Sequence, residues 1–172
     1  GGAIRRECRG IIFDTDGNIM SRPFHKFFNV NERDETQSHV VDMTQEHIVM
    51  EKMDGSMIRP LLVDGYLRLG TKMGVTTVSM QAEEWLAAHP NSENLKRWLR
   101  FCMAMDITPL FEWISPDNQI VLEYSEPDLV LLAERDNFTG TYFEIQSDDS
   151  IPFTKVKEYS SVDGSLSDYI AK

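Results

Sequence analysis

Lys52 stands in the run Glu51-Lys52-Met53-Asp54-Gly55-Ser56, an amine beside a carboxylate and a glycine, between apolar segments that read as strands. A lysine so placed can attack a phosphorus atom if something lowers its pKa and something else holds a nucleotide in line. A free lysine titrates at ~10.4 and is protonated at neutral pH. A neighbouring cation or partial desolvation lowers that value. In this reading Asp54 orients the amine or holds a metal-bound water. Gly55 lets the backbone approach a phosphate closely, and Ser56 donates a hydrogen bond. Taken alone, these few letters describe a charged hairpin loop better than a site, so the weight falls on their surroundings.

Four further runs have the same mixture of charge and order. Arg9 lies in Glu7-Cys8-Arg9-Gly10, just before an apolar strand. Lys26 lies in His25-Lys26-Phe27-Phe28-Asn29, and Lys72 in Gly70-Thr71-Lys72-Met73-Gly74. Glu112 sits between two aromatics in Phe111-Glu112-Trp113-Ile114-Ser115-Pro116. Singly, each cation is more often a solubility charge, and Glu112 a satisfied strand-end carboxylate.

The elements that must position these residues can be read from local pattern. Arg9 to Phe13 is a strand ended by the turn Asp14 to Gly17. Asn31 to Gln37 is a polar loop, and His47 to Glu51 is a strand leading into Lys52. Met57 to Val63 and Tyr66 to Leu69 flank Asp64-Gly65, the favoured two-residue hairpin turn. Val78 to Ala88 is a helix stopped near Pro90. A second helix follows, capped by Ser92, with Leu95, Trp98, Leu99 and Cys102 on one face. Ile107 to Trp113, Ile120 to Leu122, Leu129 to Glu134 and Thr141 to Ile145 read as strands, with a hairpin loop over Asn137 to Gly140. From Ser147 to Lys172 the chain is a polar, mixed tail. Hairpins around a helical pair, without alternating βαβ units, give an α+β class with antiparallel sheets.

Composition bounds the function. The chain has 172 residues, 41% apolar and 10% aromatic, enough for one domain with its own core. No apolar run approaches the ~20 residues that span a bilayer, and no signal peptide is visible. Cys8 and Cys102 read as reduced core residues of a cytoplasmic protein. A net charge of −11 argues against a generally basic, nucleic-acid-coating surface but leaves room for a local basic groove. His25, His39, His47 and His89 lack zinc spacing, and no metal ligand set is assigned. Gly1-Gly2-Ala3 is left out of the fold reasoning. The nine methionines read as core fillers. Glu83 and Glu84, with Lys96 and Arg97 beyond the turn, read as a solvated face. Glu144, Asp148, Asp149 and Glu158 read as acidic surface.

From Arg6 to about Ile145 the sequence resembles the RNA ligase 1 family of T-even-type phages. The resemblance rests on several runs in the right order: Glu-Cys-Arg-Gly, Lys-Phe-Phe-Asn, Lys-x-Asp-Gly-Ser, Phe-Glu-Trp-Ile-Ser-Pro with Asn118 to Leu122, and Leu129-Val130-Leu131-Leu132. It implies a nucleotidyltransferase fold of the ATP-grasp-like ligase type. It also implies an ATP-dependent RNA ligase joining 5′-phosphate and 3′-hydroxyl RNA ends, tRNA being a family-level analogy.

By the same resemblance Lys52 takes AMP onto its Nζ and Glu112 lies near the ribose hydroxyls. One of Phe111 and Trp113 faces the adenine. Arg9 and Lys26 contact the nucleotide and its phosphates, and Lys72 is the basic residue after the hairpin, although Lys-Met-Gly-Val stands here where the family carries Lys-Gly-Ser. Glu51, Asp54 and Gly55 complete the nucleotide-binding set. ATP and Mg²⁺ are the implied cofactors, the ion arriving with ATP to lower the amine's pKa and neutralise the leaving pyrophosphate. A triphosphate needs several cations, and positioning with electrostatic stabilisation is most of what phosphoryl-type transfer demands.

Family members continue into two further active-site strands. Lys155-Val156-Lys157 has the letters of the last one, but the better alignment places Ile151 to Lys172 in the connector before them. Residues 1–172 are therefore expected to be one adenylyltransferase domain of a longer ligase, with 147–172 as connector and the fold incomplete. Two alternatives stay open: a non-catalytic nucleotide- or RNA-binding remnant, and a DNA ligase or capping-type nucleotidyltransferase. Oligomeric state is left open as well.

Overall fold

The computed structural model describes residues 2–118, 121–161 and 164–167. In chain order the elements are α1 (Ala3–Glu7), β1 (Ile12–Phe13), β2 (Ile19–Ser21), β3 (Val49–Met50), β4 (Ser56–Val63), β5 (Tyr66–Gly70), α2 (Thr77–Ala88), α3 (Ser92–Ala104), β6 (Ile107–Ile114), β7 (Asp128–Asp136), β8 (Tyr142–Phe143), β9 (Thr154–Lys155) and β10 (Glu158–Tyr159). Two units divide the chain. One comprises Gly1–His25 with Met53–Lys155, the other Lys26–Lys52 with Val156–Lys172.

The larger unit is organised by the Asp64-Gly65 turn. Both residues adopt positive φ, 51° and 80°, which matches the right-handed twist of the strands they join. The turn sets Val63 opposite Tyr66 and Arg59 opposite Gly70. The sheet then runs β5-β4-β6-β7-β8, with β9 pairing parallel to β7. The antiparallel α+β expectation is met.

Alternation decides which side of the sheet is the core. Ile58 on β4, Phe111 and Trp113 on β6, and Leu129 and Leu131 on β7 turn to one face. There they join Ala82 and Leu86 of α2 and Leu95 and Leu99 of α3. Thr76 caps α2, accepting a hydrogen bond from the Ser79 N–H while the Ser79 hydroxyl accepts from the Thr76 N–H, two otherwise orphaned donors satisfied reciprocally. Asn91, not Ser92, holds the N-cap position of α3, so Ser92 opens the first turn.

Other departures have local causes. Ile151 and Phe153, in the expected polar tail, are buried with Ile145 in the same core, and β9 and β10 follow them; two-residue strands leave too little periodicity to be read. Val121 and Leu122 lie in a bend rather than a strand, and Ile120 is outside the described residues. Cys8, which follows α1, is exposed, unlike the buried Cys102, and α1 itself buries no residue. Glu83 is not part of a solvated face: it accepts from the Arg68 Nε at 2.7 Å and the Leu69 N–H at 2.8 Å. Among the described residues no helix is long and apolar enough to cross a membrane.

Glu134 on β7 carries a pH prediction. It is 9% exposed, and burial first, then the charge of Asp148, raises its pKa above the ordinary 4.5, against a lowering contact from the Cys102 thiol. The folded chain thus holds this proton more tightly than the unfolded one. The stabilisation is fully present below about 4.5 and lost as pH rises through the raised folded value. Glu134→Gln is expected to gain stability on wild type between pH 4 and pH 7, read by urea denaturation at both.

Candidate active site

Glu112 is placed by strand pairing. Register sets Ser56 opposite Trp113, Met57 opposite Glu112 and Ile58 opposite Phe111. Glu112 therefore points away from the helices, half-buried on the other face, and its Oε1 accepts a hydrogen bond from the Gly55 N–H at 3.1 Å. This ties the carboxylate directly to the Lys-x-Asp-Gly run. Phe111 and Trp113 share the opposite face. Phe111 is 0% exposed with its ring centroid 4.7 Å from that of Phe153, and Trp113 packs on Trp85 at 6.0 Å. The expectation that one of these rings faces a base is corrected: a period of two puts residues 111 and 113 on the same side, and that side is core.

Gly55 is required by packing. A methyl group there would overlap the carbonyl oxygen of Trp113 and stand 2.9 Å from its carbonyl carbon. The close approach is to β6, whatever a phosphate also needs. Beside it, Asp54 organises the loop after β6. Its Oδ2 accepts from the N–H groups of Val121 and Leu122, the latter at 2.8 Å, and its own N–H donates to the Tyr124 hydroxyl at 2.8 Å.

A basic cluster gathers around Gly10. The segment leading to it is pinned by Glu7, whose Oε1 meets the Arg22 Nε at 2.9 Å and an Arg135 Nη at 2.7 Å. Burial resists ionisation of Glu7, but the Arg22 hydrogen bond and the Arg135 charge outweigh it and hold its pKa below the ordinary value. Past this anchor the chain turns through Gly10 at φ +76°. A methyl group on Gly10 would lie 3.4 Å from the Lys72 Cβ, 3.5 Å from the Arg59 Nη1 and 3.5 Å from the Pro23 Cγ. The turn thus brings the Arg59 guanidinium and the Cβ of Lys72 together beside the residue that follows Arg9.

Arg59 is the residue that sequence reasoning missed. It lies on the Glu112 side of β4, two positions along from Met57, and is 1% exposed. Nε, Nη1 and Nη2 are all buried without a hydrogen-bond partner among the described residues. Burial lowers its pKa to about 10, so it remains a cation at neutral pH. The signal was a lone charge inside an otherwise apolar strand between Ile58 and Pro60. Arg9 and Lys72 are exposed.

Lys52, Glu51 and Lys26 belong to the smaller unit. There β3 pairs antiparallel with β10, Glu158 opposite Met50, and the Glu51 N–H donates to the Lys157 carbonyl at 2.9 Å. This pairing fixes the backbone one residue before Lys52, which is exposed. Lys26 is half-buried with its Nζ 5.1 Å from the Phe28 ring centre. Lys155, in the larger unit, donates to the carbonyls of Gln146 and Asp148 at 3.1 and 2.7 Å. Its ammonium serves the fold there. Among the described residues no three His, Cys, Asp or Glu side chains gather as a metal site.

The sequence model of a family described as RNA ligase matches residues 7–162. A putative RNA ligase of Thermovibrio ammonificans is 38% identical over 140 residues, covering 81% of this chain and 36% of that protein. RNA ligase 1 of Bacteriophage TS2126 is 32% identical over 144 residues, covering 80% and 36%. The chain therefore spans about a third of the length of these relatives. Among solved structures, an RNA ligase of Naegleria gruberi aligns with a TM-score of 0.52 and 16% identity over 72% of this chain and 39% of that one. A form of that ligase solved with ATP and Mn aligns at 0.51 and 16%, with the same coverage. At this identity the two structures establish the nucleotidyltransferase fold alone.

Proposed function

We propose that this chain, which belongs to the RNA ligase family, carries the lysine-adenylylating part of an ATP-dependent RNA ligase. The observation that carries the reading is the bond from the Gly55 N–H to Glu112. It joins the run that holds Lys52 to a carboxylate on the face of the sheet where Arg59 also lies.

The Nζ of Lys52, once deprotonated, attacks the α-phosphorus of ATP. The N–P bond forms, the bond to the bridging oxygen breaks, and pyrophosphate leaves. AMP then passes to an RNA 5′-phosphate, and a 3′-hydroxyl displaces it to form the phosphodiester. Glu112 accepts from a ribose hydroxyl while keeping its bond to Gly55. Arg9, Lys26 and Lys72 neutralise phosphate charge, Arg9 with a bidentate fork and the lysines as point charges. Glu51 and Asp54 hold the backbone and loop around the nucleophile. Mg²⁺ bound with ATP would supply charge neutralisation at the leaving group.

Residues 1–172 act in this proposal as one nucleotidyltransferase domain of a longer ligase, with Ile151 and Phe153 part of its core. The substrates are RNA ends, tRNA among them, in the cytoplasm, or the host's cytoplasm for a phage-encoded protein. The test is incubation with α-labelled ATP and Mg²⁺. A labelled protein band supports the reading; ATP binding without a band makes the chain a non-catalytic remnant, and labelling by GTP in place of ATP makes it a capping-type enzyme.

Glu112→Gln is expected to keep its bond to Gly55 and the fold, yet to lower the adenylylation rate by about one to two orders of magnitude, since a charged acceptor contributes roughly 1.5–3 kcal/mol. Single-turnover labelling against the thermal midpoint separates the two effects.

A further inference from the structure

We propose that Arg59 is a phosphate-binding residue, its guanidinium taking a phosphate group of the nucleotide or of the RNA 5′ end together with Lys72 and Arg9 around the Gly10 turn. This deepens the ligase reading and rests on it.

Three observations carry it. First, all three guanidinium nitrogens of Arg59 are buried and unpartnered among the described residues. An arginine cannot shed its proton to relieve that situation, and an unpaired buried charge is costly to keep. Second, the Gly10 turn lies against the Arg59 Nη1, the Lys72 Cβ and the Pro23 Cγ, and Arg9 immediately precedes it in the chain. No hydrogen bond or ion pair joins Arg9 or Lys72 to a described residue, in a chain whose net charge is −11. With acidic side chains so abundant, three cations left without a carboxylate in one neighbourhood select an anion from outside. Third, Arg59 lies on the same face of the sheet as Glu112, one diagonal away across β4 and β6. A guanidinium's planar fork matches two oxygens of a phosphate.

The full chain, Arg59→Met and Arg59→Lys are compared by thermal midpoint and by equilibrium binding of four probes. These are ATP with Mg²⁺, inorganic tripolyphosphate, a 5′-phosphorylated RNA oligonucleotide and its 5′-hydroxyl counterpart. Arg59→Met removes the uncompensated charge at similar volume. It is expected to melt higher than wild type while losing tenfold or more in affinity for a phosphate-bearing probe, with Arg59→Lys between the two. Loss confined to ATP and tripolyphosphate identifies the nucleotide as the source. Loss confined to the 5′-phosphorylated RNA, with its 5′-hydroxyl counterpart unaffected, identifies the RNA end.

Wild-type affinity of Arg59→Met for all probes overturns the proposal alone. So does a Met variant that melts lower than wild type and binds normally. If the Met variant does not fold, undiminished binding by Arg59→Lys overturns it. A wild-type chain that binds none of the probes overturns this inference and the ligase reading together.

Discussion

Lys52→Ala is expected to leave a folded chain that forms no nucleotide adduct. Lys52 is exposed, so truncating it removes no core contact, and the thermal midpoint should stay within the small range of surface substitutions. The proposed chemistry, by contrast, has nowhere else to go: in that reading the N–P bond forms on this amine. Labelling by α-labelled ATP should fall by at least about a thousandfold, to background. Lys52→Arg should fail equally. It keeps the positive charge, but a guanidinium stays protonated and cannot attack. If either variant still accepts label, the adduct lies elsewhere and the assignment of Lys52 falls. ATP binding should survive in both variants, because the cations proposed for phosphate are untouched.

Gly55→Ala is expected to be the most destabilising single-methyl change in the candidate site. The added carbon would collide with the Trp113 backbone carbonyl and crowd Ile114 Cγ2 at 3.3 Å. A backbone carbonyl in a paired strand cannot rotate away as a side chain can. Either β4 and β6 separate at Ser56–Trp113, or the Gly55 N–H leaves Glu112. Overpacking of this kind costs about 3 kcal/mol or more, on the order of 10 °C in midpoint for a chain of this size. Urea denaturation checks the stability. The labelling assay should show adduct formation falling with it, as Glu112 loses the donor that orients it. A Gly55→Ala chain as stable as wild type would mean that β4 and β6 do not approach as described.

These two residues illustrate how differently parts of the site could be read. Lys52 could be proposed from sequence because chemistry restricts residue type: few side chains can attack phosphorus, and several runs in the order of the family it resembles point to this one. Gly55 was legible as a required glycine but not for its main reason. Its closest neighbour, the Trp113 carbonyl, is 58 positions downstream, and nothing local records that β6 pairs there. Phe111 and Trp113 were misassigned because an aromatic beside a glutamate suggests a base platform. Only the helices packed on one face of the sheet decide that Phe111 and Trp113 are core.

The Asp64-Gly65 hairpin, the two helices and the long strands β4, β6 and β7 follow from the sequence by itself, since each depends on φ preferences or on a hydrophobic period within about a dozen residues. So does the candidate nucleophile. What only the tertiary structure decided is the company each residue keeps. It placed Glu112 on Gly55, Ile151 and Phe153 in the core, and Arg59 buried without a partner beside Gly10 and Lys72. Sheet register and the covering of a face are non-local, so the charge and burial of a strand residue are fixed by segments far along the chain and cannot be read at its own position.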